Sequence, residues 1–240
     1  MALNITYEDK DILVCFKPAG VATQTASISS QDMVSLIKNY LASEKKEKSP
    51  YVGVIHRLDQ PVSGLLVFAK NPKAAAELSK QIQDGTANKD YIAYCSGILK
   101  NKTGELTHYI MKDPATKLAK TLDENTFLKL QRENKEESTG YKKAILTYEV
   151  EKEDEEVSII KVHLQTGRFH QIRAQFSNIG NSLLGDVKYG SQISKELSMK
   201  KRINKIALCA NHLVLKHPIT GKELEFTLDK EYLPQWYTNT

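Results

Sequence analysis

The stretch VIHRLDQPVSGLLVFAK, from Val54 to Lys70, is the part of this chain that the other segments serve. Its apolar ends predict two buried strands, and Pro61 and Gly64, which interrupt regular backbone structure, predict a tight loop between them. A carboxylate at such a junction, here Asp59, is held on a rigid scaffold, which suits catalysis. A structural interpretation is also open, in which Arg57 and Asp59 simply pair and cap a turn.

Composition indicates an ordinary globular protein. The chain has 240 residues, of which 40% are hydrophobic and 26% charged, and we expect one domain over residues 1–240. It has no apolar run near the ~18 residues that cross a bilayer, and its start, MALNITYEDKD, lacks a signal-peptide pattern. We therefore expect a cytoplasmic protein without a membrane partner. The net charge of +5 is compatible with a polyanionic partner.

Cysteine and histidine spacing argues against a metal site. Cys15, Cys95 and Cys209 are far apart, form no CxxC pair and lie in apolar stretches, which predicts reduced core residues. The six histidines show no zinc spacing, and His212 and His217 are expected on opposite faces of a strand. We expect neither a metal nor a cofactor.

Hydrophobic periodicity, capping residues and the positions of Gly and Pro predict strands interrupted by about three helices. The helices are one opened by a capping box at Ser29 and Asp32, one from Asn71–Pro72 to Gly85, and one after TGRFHQIR, capped by Thr166 and ending near Gly180. Strands are expected at 4–7, 12–16, 89–95, 143–150, 157–164, 206–216 and 222–228. Residues 98–121 suggest two or three short strands, and 134–140 a flexible charged loop.

The polar insert carries a resemblance. HRLDQPVSG resembles the signature loop of the RluA family of RNA pseudouridine synthases, whose pattern is HRLD, two variable residues and TSG. The catalytic aspartate of that family matches Asp59. The family usually has threonine where this chain has Val62, a change that weakens loop bonding more than it threatens the chemistry.

Three shorter segments extend the resemblance. Lys17-Pro18-Ala19-Gly20 is similar to the family's KPxG element, which makes Lys17 a loop organiser or a phosphate contact; an ordinary exposed lysine is the alternative. The strand with Tyr91 resembles a KxYxA strand whose tyrosine lies in the active site, although a strand tyrosine otherwise only packs. Leu208, in a Leu-x-Ala…HPxTG ending, would pack near the target base.

The segment TGRFHQIR, followed by a Gly-Asp turn, resembles the family's second signature. Arg173 lies four residues after Phe169 and three before Phe176, so it borders a buried helical face. An unpaired buried guanidinium costs several kcal/mol, and Asp59 is the expected partner. Arg168 is assigned to the RNA backbone or to loop support.

The resemblance implies a fold and a reaction. The fold is α+β, with a long, mixed, mostly antiparallel central sheet, flanking helices and a catalytic cleft across the sheet. The protein would be a monomeric catalytic domain that lacks the family's small N-terminal RNA-binding (S4) domain. It would isomerise uridine to pseudouridine in a stem-loop of rRNA or tRNA, without a small-molecule cofactor.

The site residues acquire roles from the same resemblance. Asp59 acts as nucleophile at C1′ or as base at C2′, and Arg173 keeps it ionised and aimed. Tyr91 stacks on the detached base and assists the proton that leaves C5. The uridine leaves its helix, and His56 or Arg57 fills the gap.

Two other functions stay open at this point. One is a catalytically silent RNA-binding protein on the same fold. The other is a hydrolase that uses His56, Asp59 and His170, although the sequence shows no nucleophile elbow or metal spacing. The basic run within 195–205 is either a solvated face or a phosphate contact.

Overall fold

Strands alternate with short helices along residues 3–25 and 31–238, the part of the chain that this computed structural model describes. The strands are β1 Asn4–Glu8, β2 Ile12–Lys17, β3 Gly53–Val54, β4 Ser63–Ala69, β5 Asn88–Ser96, β6 Thr103–Lys112, β7 Ala119–Leu122, β8 Lys142–Glu153, β9 Val157–Leu164, β10 Leu208–Lys216 and β11 Glu223–Thr227. The helices are α1 Met33–Ser43, α2 Pro72–Gln83, α3 Glu124–Glu133, α4 Lys135–Ser138, α5 Gln171–Asn178, α6 Gln192–Lys200 and α7 Gln235–Thr238, with a 3-10 turn at Lys230–Tyr232.

The N-caps of α1 and α2 show how well local sequence predicts where a helix begins. The prediction for α2 is confirmed: the Asn71 side chain accepts from Ala74 N–H at 2.9 Å and Pro72 opens the helix. In α1 the N-cap is Asp32, whose carboxylate accepts from Ser35 N–H at 2.7 Å. The predicted capping box placed Asp32 inside the first turn of α1, and this prediction is wrong. Ser29, the other residue of the predicted box, lies outside the described residues.

Helix α5 begins later than expected. Its N-cap is His170, which has a left-handed φ of 53° and makes no side-chain cap bond. The prediction that Thr166 caps this helix is wrong, because its hydroxyl bonds the Gln171 side chain (2.8 Å) and Ile145 N–H (2.9 Å) instead. Between β9 and α5 the chain bends at 165–166 and makes a turn at 169–170.

The segment 97–140 differs most from expectation. It contains one long strand, β6, the short strand β7, the helix α3, for which no element was predicted, and the helix α4 within 134–140, where a flexible charged loop was predicted. Phe127 is the buried residue of α3, and its ring stacks on Tyr109 at 3.7 Å between centroids. Local signals for α3 are nevertheless present in the sequence, because the Asp123 carboxylate caps the helix by accepting from Thr126 N–H at 2.9 Å and Phe127 and Leu130 lie on one face.

The chain divides into two units, one of residues up to Asp90 with Cys209–Thr238 and the other of Tyr91–Leu208. In the first, strand order is β1-β2-β4-β10-β11, with β3 also on β4. The pairing of β4 with β10 is parallel, and the pairs β1–β2, β2–β4, β3–β4 and β10–β11 are antiparallel. Gly64 has φ +134°, and a Cβ there would lie 2.3 Å from the Ala210 carbonyl oxygen, so only glycine permits this approach of β4 to β10.

In the second unit the strand order is β5-β9-β8-β6-β7. The pairs β9–β8, β8–β6 and β6–β7 are antiparallel. Its core is formed by side chains that are fully buried or nearly so, among them Ile92, Leu146, Ile160, Phe176 and Leu184. The prediction of an α+β fold with mixed, mostly antiparallel strands and helices is confirmed.

Among the described residues, no helix combines the length and the apolar character that crossing a bilayer requires.

Candidate active site

The loop between β3 and β4 carries Asp59. Val62 N–H donates to the Asp59 carbonyl at 3.0 Å, which closes a turn. Leu58 and Val62 on either side are 6% and 2% exposed, so they anchor the loop in the core of its unit. Asp59 itself is only half-buried. Apolar anchors around a half-buried carboxylate give it a fixed position with access to solvent.

Lys17, at the end of β2, is buried and hydrogen-bonded to backbone carbonyls of this loop and of its own segment. Its side chain is 0% exposed, and Nζ donates to the carbonyls of Pro18 (3.1 Å), Val21 (2.8 Å) and Gln60 (3.1 Å). These acceptors match the three hydrogens of an ammonium group. The alternative of an ordinary exposed lysine is wrong. A phosphate contact would require Lys17 to give up one of these carbonyls.

The charge of Lys17 acts on the same loop. Burial lowers the Lys17 pKa to about 8, while the negative charge of Asp59 and the Cys209 thiol oppose that shift. Lys17 therefore places a buried ammonium group within electrostatic reach of Asp59.

A second link joins the loop to residues 17–23. Gly20 N–H donates to the Gln60 carbonyl at 2.8 Å, and Gln60 Nε2 donates back to the Gly20 carbonyl at 3.0 Å. The residue after Asp59 is therefore held through both its backbone and its side chain.

His56 and Arg57, the two candidates for filling the gap of a flipped base, differ in charge. His56 Nε2 accepts from Val67 N–H at 3.4 Å, and burial, aided by the Lys89 charge, lowers its pKa to about 3. His56 is therefore neutral at physiological pH, whereas Arg57 is an exposed cation. A histidine with so low a pKa is also a poor general base, which weighs against the hydrolase alternative.

In the second unit, helix α5 presents Arg173 to a carboxylate. Arg173 is 3% exposed, and its Nε and Nη2 donate to Asp186 Oδ2 (2.8 Å) and Oδ1 (2.7 Å). Asp186 Oδ1 also accepts from the backbone N–H groups of Lys188 and Tyr189. This bidentate pair supplies the carboxylate that a buried guanidinium requires.

Sequence reasoning missed Asp186 as a partner. The signal was available, because Asp186 stands in the Gly-Asp turn only 13 residues after Arg173. The pair uses two of the five N–H donors of the guanidinium, and the pairing of Arg173 with Asp59 stays a prediction.

The turn before α5 is held by Gln171. Its Oε1 accepts from Arg168 N–H (2.9 Å) and the Thr166 hydroxyl, and its Nε2 donates to the Ile145 carbonyl (3.1 Å). Arg168 is exposed, and its Nε donates to the Lys143 carbonyl at 2.8 Å. Loop support by Arg168 agrees with this contact, and its RNA contact stays a prediction.

Tyr91 and Leu208 are packed residues of the second unit. Tyr91, on β5, is 6% exposed, and Leu208, the first residue of β10, is 5% exposed. Their predicted places beside the target base are not tested by these values.

The basic run is partly neutralised by the acidic turn between β8 and β9. Lys200 Nζ lies 2.6 Å from Glu156, and Lys201 Nζ lies 3.0 Å from Asp154 and above the Tyr94 ring. For these two lysines the solvated-face interpretation is favoured over a phosphate contact.

Among the residues that the structure describes, Asp9, Asp11 and His217 form a group that could hold a metal, with possible ligand atoms within 4.8 Å of one another. His217 Nδ1 accepts from the N–H groups of Ile219 and Thr220, so its proton is on Nε2, which donates to Asp9 at 2.8 Å. A metal at Nε2 would have to displace this proton, so the arrangement favours a hydrogen-bonded acid–imidazole pair.

Comparisons with known proteins agree on one family. A family model described as RNA pseudouridylate synthase matches residues 11–178. A protein of Aquifex aeolicus named as an RNA pseudouridine synthase is 33% identical over 95% of this chain and 69% of its own length. A protein of Zymomonas mobilis named ribosomal large subunit pseudouridine synthase D is 31% identical over 93% of this chain and 68% of its own length.

The fold is also found among solved structures. Human RNA pseudouridylate synthase domain containing 4 superposes with a TM-score of 0.74 over 98% of this chain and 90% of its own, at 19% identity. At that identity the likeness concerns the fold alone.

Proposed function

This chain belongs to the RNA pseudouridylate synthase family and is an RNA pseudouridine synthase, and on that premise we propose that Asp59 is its catalytic carboxylate and ribosomal RNA its substrate. The observation that carries the assignment of Asp59 is its setting. It is a half-buried carboxylate on a loop anchored by buried neighbours, with a buried ammonium within electrostatic reach.

The choice of ribosomal RNA rests on the names of relatives. The relatives from Zymomonas mobilis and Pasteurella multocida, 31% and 30% identical, are named ribosomal large subunit pseudouridine synthase D. We propose a uridine in a stem-loop, with transfer RNA as the alternative substrate. Because the reacting atoms of a stacked base are inaccessible, the uridine must be flipped out of its helix.

The reaction is an isomerisation with no net loss of atoms. The C1′–N1 bond breaks, the base turns, a C5–C1′ bond forms, C5 loses a proton and N1 gains one. Asp59 serves as nucleophile at C1′ or as base at C2′, both of which need an ionised carboxylate. Tyr91 stacks on the detached base, Arg173 orients the carboxylate, Arg57 fills the gap in the RNA, and Arg168 contacts the backbone.

The decisive experiment is Asp59→Asn in an assay of tritium release from rRNA and tRNA transcripts labelled with [5-³H]uridine. The substitution keeps the size of the side chain but removes its charge, and we expect a loss of about 10³-fold or more. The exposed Asp84, at the end of α2, gives the matched control Asp84→Asn, which should keep wild-type activity.

The outcomes separate the alternatives. Wild-type turnover dismisses the catalytically silent RNA-binding protein, and activity of Asp59→Asn within twofold of wild type removes Asp59 from the mechanism. Release from tRNA but not from rRNA transcripts would overturn the substrate assignment. The single catalytic domain over residues 1–240, the monomeric state and the cytoplasmic location stay predictions from the sequence.

A further inference from the structure

Thr23 makes an unusual pair of hydrogen bonds to the residue before Asp59. Leu58 N–H donates to Thr23 Oγ1 at 3.2 Å, and the Thr23 hydroxyl donates to the Leu58 carbonyl at 3.1 Å. One side-chain hydroxyl thus satisfies both backbone polar groups of Leu58, as a neighbouring strand would. Thr23 is 3% and Leu58 6% exposed, so water is a poor substitute for this hydroxyl.

Thr23 is itself fixed to regular structure. Its carbonyl accepts from Val34 N–H at 3.3 Å, and the carbonyl of Ala22 accepts from Met33 N–H at 3.0 Å, so both residues are bonded to the first turn of α1. Lys17 Nζ holds the Val21 carbonyl at 2.8 Å just before them. The Thr23 hydroxyl therefore links the first turn of α1 to the backbone next to Asp59.

We propose that the Thr23 hydroxyl is a positioning group for Asp59, which sets the backbone of Leu58 and thereby aims the carboxylate at the ribose. The inference rests on the proposed role of Asp59. Val62, on the other side of Asp59, is buried and has no hydroxyl with which to bond the loop backbone. Thr23 supplies such a hydroxyl from another segment, through its bonds to Leu58. Displacing a reacting group by about 1 Å can cost about 100-fold in rate.

The test compares Thr23→Val, Thr23→Ser and wild type. Valine keeps the shape and removes both hydrogen bonds, whereas serine keeps the hydroxyl. Under single-turnover conditions at saturating enzyme, Thr23→Val should slow tritium release about 10- to 100-fold, with RNA affinity by filter binding within about twofold. Thr23→Ser should lie near wild type. Thermal unfolding of each variant shows that the assay temperature is below its transition.

Thr121→Val is the matched control. The Thr121 hydroxyl is buried in β7 and has no hydrogen-bond partner within the described part of the chain. The same loss of a hydroxyl there should leave the rate unchanged.

Several results would overturn the proposal. These are a Thr23→Val rate within twofold of wild type, equal losses in Thr23→Val and Thr23→Ser, or weaker RNA binding with an unchanged single-turnover rate. If Thr23→Val does not fold, Thr23→Ala, which also removes both hydrogen bonds, takes its place in the test; if neither variant folds, the hydroxyl serves folding in general and the proposal also fails. Wild type and Asp59→Asn in the same assay keep the two questions apart: an inactive wild type refutes the proposed function, whereas an active wild type with an unaffected Thr23→Val refutes only this inference.

Discussion

The loop that carries Asp59 and the turn that leads into α5 are held by different kinds of interaction. The first is held mainly by hydrogen bonds to backbone groups, from Lys17 Nζ, Thr23 Oγ1 and the Gly20 backbone. The second leads into a buried, bidentate ion pair, Arg173 with Asp186. The partners in the first loop are 35 to 43 residues apart along the chain, whereas the ion pair spans 13 residues.

The difference has consequences for how each region fails. Removal of one partner from a buried ion pair leaves an uncompensated charge, which costs far more than a lost neutral hydrogen bond. The α5 region should therefore respond to substitution mainly through stability. The Asp59 loop, held by several smaller contributions, should respond more through geometry and rate.

The largest expected effect is that of Arg173→Met. It leaves the Asp186 carboxylate, 0% exposed, without its cation, and we expect about 3–5 kcal/mol of destabilisation by urea unfolding. Arg173→Met is therefore expected to destabilise the fold as well as to affect activity. In Arg173→Met/Asp186→Asn the asparagine still accepts from Lys188 and Tyr189 N–H without a buried charge, so a large part of the stability should return.

Activity of that double variant decides what Arg173 does. Recovered stability with tritium release still strongly reduced would support a role of Arg173 at the reacting centre. Recovered stability together with near-normal release would show that Arg173 is structural only.

Lys17→Met should have the next largest effect. It removes the donor for three carbonyls beneath the Asp59 loop, and we expect a loss of about 2–4 kcal/mol in the free energy of unfolding. Lys38→Met, at an exposed position of α1, is the control and should change stability by less than about 0.5 kcal/mol. Equal effects of the two substitutions would contradict the buried role of Lys17.

The pH dependence of stability tests the same lysine. Its folded-state pKa, about 8, is below the ordinary value of 10.5, so between these values the unfolded chain binds more protons. Stability therefore rises with pH in this window. Between pH 8 and 9.5 the wild type should gain about 1–2 kcal/mol relative to Lys17→Met, measured by urea unfolding. A difference that stays flat would show that the Lys17 pKa is not lowered.

The smallest expected effect belongs to Thr121→Val. A buried hydroxyl without a partner costs free energy, so its removal should be neutral or stabilise the protein by up to about 1 kcal/mol, seen as an unchanged or higher melting temperature. A clear loss of stability would mean that the hydroxyl has a partner in solution.

Local signals predicted the elements that local contacts stabilise. The cap of α2 at Asn71 and the β8–β9 hairpin, whose turn lies at 154–156 and not at the predicted 151–156, are recognisable, because their hydrogen bonds and periodicity involve neighbouring residues. Helix α3 was missed although Asp123 is a recognisable N-cap, and only the structure shows its contact with another element, the stacking of Phe127 on Tyr109.

The candidate site divides in the same way. Its family, its reaction and the choice of Asp59 were readable from ordered motifs, and the family match confirms the first two. Asp186 was missed as a partner of Arg173, because a helical pattern shows that a guanidinium points inward but not which carboxylates meet it, and the pairing with Asp59 stays a prediction.

The sequence by itself therefore determined the class of fold, the family and the loop that carries the candidate catalytic carboxylate, because motif order and hydrophobic periodicity are written along the chain. Only the tertiary structure decided that Lys17 is buried beneath that loop, that Thr23 bonds Leu58, and that Asp186 holds Arg173. Each of these depends on which segments fold against one another, and a side chain of given type accepts several partners until packing selects one.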